Sequence, residues 1–140
     1  MQVFIAGVMQ ASTLGKGMVD QRYRSEIRSI LRARWPELDV VDPFELHPDS
    51  VEYEDAEAKK TLFRLLELAR ASDLLIAYAP IASMGTALEM YAAYLQNIPV
   101  LTISPMADNW VIRALSKRVF PDLASFSDFV LAAESPAALS

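Results

Sequence analysis

Five consecutive apolar residues, Leu74-Leu75-Ile76-Ala77-Tyr78, constrain the fold of this chain more than any other stretch. A strand with one wet face alternates apolar and polar residues, whereas a run without alternation suits a strand covered on both faces. The same texture recurs from Gln2 to Val8, ending near Gly7, and in Val100-Leu101-Thr102-Ile103. Asp39-Val40-Val41-Asp42 reads as a shorter strand closed by Pro43, and Val119-Phe120 as a short last one. Helical patterns separate them. Asp20 can cap a helix over Gln21 to Arg34, where Ile27, Ile30, Leu31 and Arg34 keep a three/four spacing before Pro36. Further helices are predicted over Glu54 to Ala71, about Met84 to Gln96, about Asn109 to Lys117, and Ser125 to Ala133. Alternating strands and helices predict an α/β class. The expected architecture is a single-domain, flavodoxin-like open parallel sheet of about five strands with helices on both faces. The domain is expected over residues 1–134, with a flexible tail at 135–140. Ligands of such sheets sit outside the carboxyl ends of the strands, which gathers the loops at 9–19, 43–51, 80–84 and 104–109 around one crevice.

Composition narrows the partners. The 140 residues suffice for one real core. A formal charge of −5 gains nothing from counterion release, which argues against a nucleic-acid polymer. A small anion remains possible, since backbone donors can bind one on an acidic protein. The chain has no cysteine, which removes disulfides, thiolate metal sites and a cysteine nucleophile. His47, the single histidine, has no partner at metal-ligand or triad spacing; no metal and no cofactor are expected. No apolar run approaches the ~20 residues of a membrane span, and the start lacks a signal-peptide layout, so a cytoplasmic protein is the expectation.

The turn after Leu74–Tyr78 carries the candidate chemistry. Ser83 opens a helix whose first amides lack intrahelical partners, and Gly85 leaves room for a ligand to approach them. A serine there is equally a plain helix cap. Glu89 follows Gly85 by one helical turn, about 6 Å along the axis. It reads either as a solvated glutamate or as a base or nucleophile at the crevice. The helix favours enclosure, because Met84 to Asn97 holds no other ionisable acid or base except tyrosines. Asp42, at the end of the second strand, suits a ligand role or a turn before Pro43; Asp73 suits a junction cap. Lys16 lies between two glycines without the Walker pattern, and Gly7 opens no dinucleotide fingerprint.

In combination these residues resemble a known family. A strand ending Ala6-Gly7, the junction Ala71-Ser72-Asp73-Leu74-Leu75-Ile76-Ala77, the element Ser83-x-Gly85-x-x-x-Glu89 and Ile98-Pro99-Val100-Leu101 are similar to the nucleoside 2-deoxyribosyltransferase superfamily, which includes 2'-deoxynucleoside 5'-phosphate N-hydrolases. The likeness spans roughly residues 2 to 117. It implies a retaining attack on an N-glycosidic bond, with Glu89 as the nucleophile on the anomeric carbon of a nucleoside or nucleotide. Gly7, Asp42, Ser83, Gly85 and Asn109 are then the expected substrate-binding residues. Serine at position 83 matches the branch that handles monophosphates. The resemblance also implies a homo-oligomer, dimer or higher, with Asn109 near the position that reaches a neighbour's site.

The chain departs from that pattern in places. Phe4 stands where the family has a tyrosine that orients the nucleophile. Leu65 stands where it has an aspartate that helps protonate the leaving base. Val8 and Gln10 stand where the monophosphate branch has serine and arginine. Asp42, Glu45, Lys16 and Arg22 are within reach of the crevice as replacements. Two readings therefore stay open: an N-glycosidase or deoxyribosyltransferase, and a protein that binds a nucleotide-like ligand without turning it over. A third is a structural role in an oligomer through Tyr91, Tyr94, Leu95 and Trp110.

Overall fold

A computed structural model of the chain describes residues 1–12 and 14–140. Thr13, inside the loop expected at 9–19, lies outside the described residues. Strands β1 (Gln2–Gly7), β2 (Asp39–Val41), β3 (Leu74–Tyr78), β4 (Val100–Ile103) and β5 (Arg118–Phe120) form one parallel sheet in the order β2-β1-β3-β4-β5. Between them run α1 (Arg22–Arg34), α2 (Pro43–Leu46), α3 (Asp55–Ala71), α4 (Met84–Tyr94) and α5 (Trp110–Leu115), and α6 (Leu123–Ala132) follows β5. The expected α/β open parallel sheet is the architecture observed.

The unbroken apolar strands have a simple cause. Val3, Ile5, Leu74, Ile76, Leu101 and Ile103 pack on one face against Ile27 and Leu31 of α1 and Phe126 and Val130 of α6. Phe4, Ala6, Leu75, Ala77 and Val100 pack on the other against Ala69 of α3 and Met90 and Ala93 of α4. Each fully buried large aliphatic chain is worth roughly 1.5–3 kcal/mol, so neither face tolerates polar alternation.

Two segments differ from expectation. The stretch at 43–51, expected to be irregular, contains α2 and a 3-10 turn at Ser50–Glu52. Asp42 caps α2 by accepting from the Phe44 amide at 3.0 Å, and Pro43 fits the first helical position. The flexible tail expected at 135–140 instead forms a 3-10 turn, Pro136–Leu139, and Leu139 is 1% exposed within the α1/α6 core. An apolar residue close after α6 finds the same core face.

The site is positioned by the sheet order. β1 pairs with β2 only from Gln2 to Phe4 but with β3 from Val3 to Gly7. Strand order reverses at β1, so the carboxyl ends of β1 and β3 open onto a switch-point crevice.

Candidate functional site

Helix α4 starts at that crevice. Ser83 caps it: its hydroxyl oxygen accepts from the Thr86 amide at 3.3 Å and the Thr86 hydroxyl at 2.9 Å. Thr86, Glu89, Met90 and Ala93 form the buried face of α4, at the three/four spacing that turns one side of a helix to the sheet. Glu89 is thereby carried into the protein on an apolar stripe, 8% exposed. Among the described residues, none hydrogen-bonds its carboxylate. Burial pushes the Glu89 carboxyl up to about 8, opposed by the positive charge of Arg24.

Glu89 lines a cavity of about 260 Å³. Gly7, Ser83, Gly85, Thr86, Tyr53 and Leu65 are among the residues that line it with Glu89. Gly85 is not demanded by packing, since a Cβ there would meet nothing within 4 Å. The space it leaves belongs to the cavity. Among the described lining residues, Glu89 is the sole carboxylate. A second, more apolar cavity of about 500 Å³ shares Ser83, Met84 and Thr86 and extends past Met90 and Met106 to Asn109.

Gly7 has a different reason to be glycine. A Cβ there would stand 2.6 Å from the Tyr23 ring and closer still to its hydroxyl. Tyr23 of α1 lies over Gly7, donates to the Val8 carbonyl at 3.0 Å and stacks on Tyr78 with ring centroids 4.1 Å apart. Burial raises its phenol well above the usual range; Arg24 counters this, while Asp42 and Glu89 add to it.

Arg24 answers a backbone problem. The Ile5 and Gly7 carbonyls point to the β2 side of β1, beyond the last register pair, Phe4 with Val41. Bare carbonyls there would cost about 1–3 kcal/mol each. Arg24 donates to both, at 3.2 and 3.0 Å, and its remaining bonds reach Asp42 at 2.9 Å and Gln21 at 2.8 Å. Its guanidinium is thus a fixed positive charge at the carboxyl end of β1, and it acts on the Glu89 carboxyl.

The other expected site residues separate. Asp42 lies at the carboxyl end of β2 as predicted, but its buried carboxylate is engaged by Arg24, Arg28 and the Phe44 amide, in a cleft other than that of Glu89. Asn109 caps α5 through the Val111 and Ile112 amides and borders the apolar cavity. Asp73 is a junction residue, accepting from the Gln2 amide at 2.7 Å at the amino end of the sheet. Glu45, Lys16 and Arg22 pair with Arg28, Glu52 and Asp20 respectively, and neither they nor Asp42 line the Glu89 cavity. Phe4 is wholly buried under the α3/α4 face, whereas Leu65 forms part of the cavity wall.

Three residues escaped the sequence reading. Arg24 stood on the apolar stripe of α1, three residues before Ile27, and a charge in that place was the available signal. Tyr23 could be found only from its contact with Gly7. Tyr53 gave no signal of its own, but it is the partner that His47 lacked: its hydroxyl lies 3.0 Å from His47 Nδ1. Among the described residues no group of acids and histidines is arranged to hold a metal ion, and no helix is long and apolar enough to cross a membrane.

Neither protein-family models nor curated proteins give a match to the chain. Solved structures do. A 2-deoxyribosyltransferase from Bacillus psychrosaccharolyticus superposes with a TM-score of 0.71 at 19% identity, covering 99% of this chain and 96% of that one. A conserved protein from Enterococcus faecalis gives 0.66 at 20%, covering 93% and 96%. A CMP N-glycosidase from Clostridium botulinum gives 0.55 at 14%, covering 95% and 100%. The fold implied by the resemblance to nucleoside 2-deoxyribosyltransferases is therefore the fold of this chain.

Proposed function

We propose that the chain cleaves or transfers at the N-glycosidic bond of a nucleoside or nucleotide, with Glu89 as the attacking carboxylate. The observation that carries this reading is the Glu89 carboxyl itself. It is 8% exposed and opens onto the cavity, no described residue hydrogen-bonds it, and it lies beside the open position of Gly85 and the cap of α4, in a space sized for a small molecule. A group left in that state costs stability, and such groups concentrate where chemistry is done. A fold shared with a 2-deoxyribosyltransferase and a CMP N-glycosidase supports the same substrate class.

In this reading a Glu89 oxygen bonds the anomeric carbon as the base departs. Water or a second base then displaces the carboxylate, so configuration is retained. Ser83, Gly85 and Gly7 border the sugar, and Asn109 lies farther along the connected apolar cavity. Asp42 acts through Arg24 and does not touch the ligand. The test is chromatographic detection of free base from a panel of deoxynucleosides, ribonucleosides and their monophosphates. Release by wild type and its loss in Glu89→Gln is the expected result; equal release by both proteins refutes the assignment.

Leu65 favours a second reading, a sensor that binds a nucleotide-like ligand and leaves it intact, because the cavity wall there is apolar. A thermal shift with each compound, followed by recovery of unchanged ligand, distinguishes it. In either reading the protein is a homo-oligomer. Met84, Leu88, Tyr91 and Leu95 form an exposed stripe on α4, and Trp110 beside Asn109 is 85% exposed. Such contiguous apolar surface suits a second copy of the chain. Light scattering returning a monomer would remove this part.

A further inference from the structure

The Glu89 cavity has one other titratable side chain among its described lining residues, the phenol of Tyr53. Tyr53 closes the 3-10 turn Ser50–Glu52, its amide donating to the Ser50 carbonyl at 3.2 Å. The Ser50 amide in turn donates to the His47 carbonyl at 3.2 Å. His47 closes α2, its amide donating to the Pro43 carbonyl at 2.9 Å. These backbone bonds hold the two rings edge to face, centroids 5.9 Å apart, with the Tyr53 hydroxyl 3.0 Å from Nδ1 of His47. Both side chains are half-buried. A tyrosine on the cavity wall whose hydroxyl meets an imidazole nitrogen has the parts that a general acid needs.

Resting on the glycosidic reading, we propose that Tyr53 donates the proton to the departing base and that His47 restores it. The cavity needs such a group, since Glu89 is its sole described carboxylate and Leu65 can donate nothing. In the first half-reaction a Glu89 oxygen bonds the anomeric carbon and the carbon–nitrogen bond breaks. The bonding pair stays on the ring nitrogen, which takes the Tyr53 proton, while the phenolic oxygen takes the Nδ1 proton of the His47 imidazolium. In the second, water bonds the anomeric carbon and releases Glu89. The water proton passes to the phenolic oxygen as the phenolic proton returns to His47. The sum is nucleoside plus water giving base plus sugar, with the protein unchanged.

A leaving group that needs no proton separates this role from a structural one. A 7-methylated purine deoxynucleoside carries a cationic base that departs neutral, whereas its unmethylated counterpart requires protonation. Tyr53→Phe should lower kcat on the unmethylated substrate by about 100-fold or more and on the methylated one by less than about threefold. His47→Gln should show the same asymmetry, about 10-fold on the unmethylated substrate. The ratio between substrates does not depend on how much of a variant is folded. Equal losses on both substrates, or no loss on the unmethylated one, overturn the assignment of Tyr53 while leaving Glu89 in place. Wild type inert toward both substrates removes the glycosidic reading and this one with it.

Discussion

Arg24 and Asp42 face each other at 2.9 Å with both side chains almost wholly out of solvent, and the same guanidinium caps the Ile5 and Gly7 carbonyls where β2 stops short. One side chain therefore completes the sheet edge and sets a positive charge that acts on Glu89. Removing it leaves a buried carboxylate with Arg28 as its only cation, beside the Phe44 amide, and two carbonyls bare. Arg24→Met should cost about 3–5 kcal/mol, read as a lower midpoint in urea. Arg24→Lys should recover little, because an ammonium cannot span the same fork of acceptors. A midpoint unchanged in Arg24→Met would show that this clamp carries no stability.

Glu89 should give the protein a recognisable pH dependence. Its folded value, about 8, lies above the ordinary carboxyl value of 4.5. The folded state therefore holds its proton through a range in which the unfolded chain has released it. Stability from this group is complete at low pH and falls as pH rises from below 4.5 through about 8. Glu89→Gln should accordingly gain on wild type in stability as pH rises, by on the order of a few kcal/mol once pH exceeds that window, read as a rising difference in melting temperature. A melting-temperature difference between the two proteins that stays constant from pH 4 to pH 9 would rule out the raised value.

Catalysis should move in the opposite sense. Attack on an anomeric carbon requires the ionised carboxylate, so base release should climb as pH rises towards about 8, and fall again where the Tyr53–His47 relay no longer starts with its proton. Loss of the Arg24 charge should shift that limb to higher pH, because this charge opposes the effect of burial on Glu89. A rate profile flat between pH 6 and pH 9 would separate Glu89 from the chemical step.

What the sequence made legible was periodic. Unbroken apolar runs such as Leu74–Tyr78 suit strands covered on both faces, and the sheet, its helices and the crevice followed from them. Glu89 was legible because no other acid or base shared its helix apart from tyrosines. Asp42 was placed correctly at a strand end, yet its role depended on Arg24 and Arg28, which reach it from α1 across the edge of the sheet. Contacts of that kind leave no period in the chain. The pairing of His47 with Tyr53 was hidden for a related reason: it is made by a 3-10 turn in a stretch that read as irregular. Leu139 was missed because one large apolar residue after Pro136 and two alanines is too short a segment to carry a period.

The two site glycines should respond oppositely to alanine. At Gly85 the new methyl meets nothing in the protein, and the residue lies in a helix, so Gly85→Ala should raise stability by up to about 1 kcal/mol. The methyl would stand in the cavity beside Glu89, so KM should rise, by about tenfold. At Gly7 the methyl overlaps Tyr23, and Gly7→Ala should cost about 1–3 kcal/mol. Thermal melts and steady-state kinetics on the two variants check this together. A Gly85→Ala protein with unchanged KM would place the ligand away from α4.

The carboxyl terminus should behave as core. Leu139 packs in the cluster built by α1, α6 and the sheet, and the 3-10 turn at Pro136–Leu139 delivers it there. The Arg34 guanidinium donates to the Ala133 carbonyl at 3.1 Å, tying the end of α1 to the end of α6 just before that turn. Leu139→Ala should therefore destabilise by about 2–5 kcal/mol, the ordinary range for emptying a buried leucine site. Deleting residues 135–140 should cost at least as much, since it removes Leu139 from the cluster together with the 3-10 turn that seats it. Neither change touches the crevice, so at temperatures where the variants stay folded, binding of any nucleoside-like ligand should be unaltered. Urea titrations of the point variant and the truncation decide it. Midpoints equal to wild type would return residues 135–140 to the role of a loose tail.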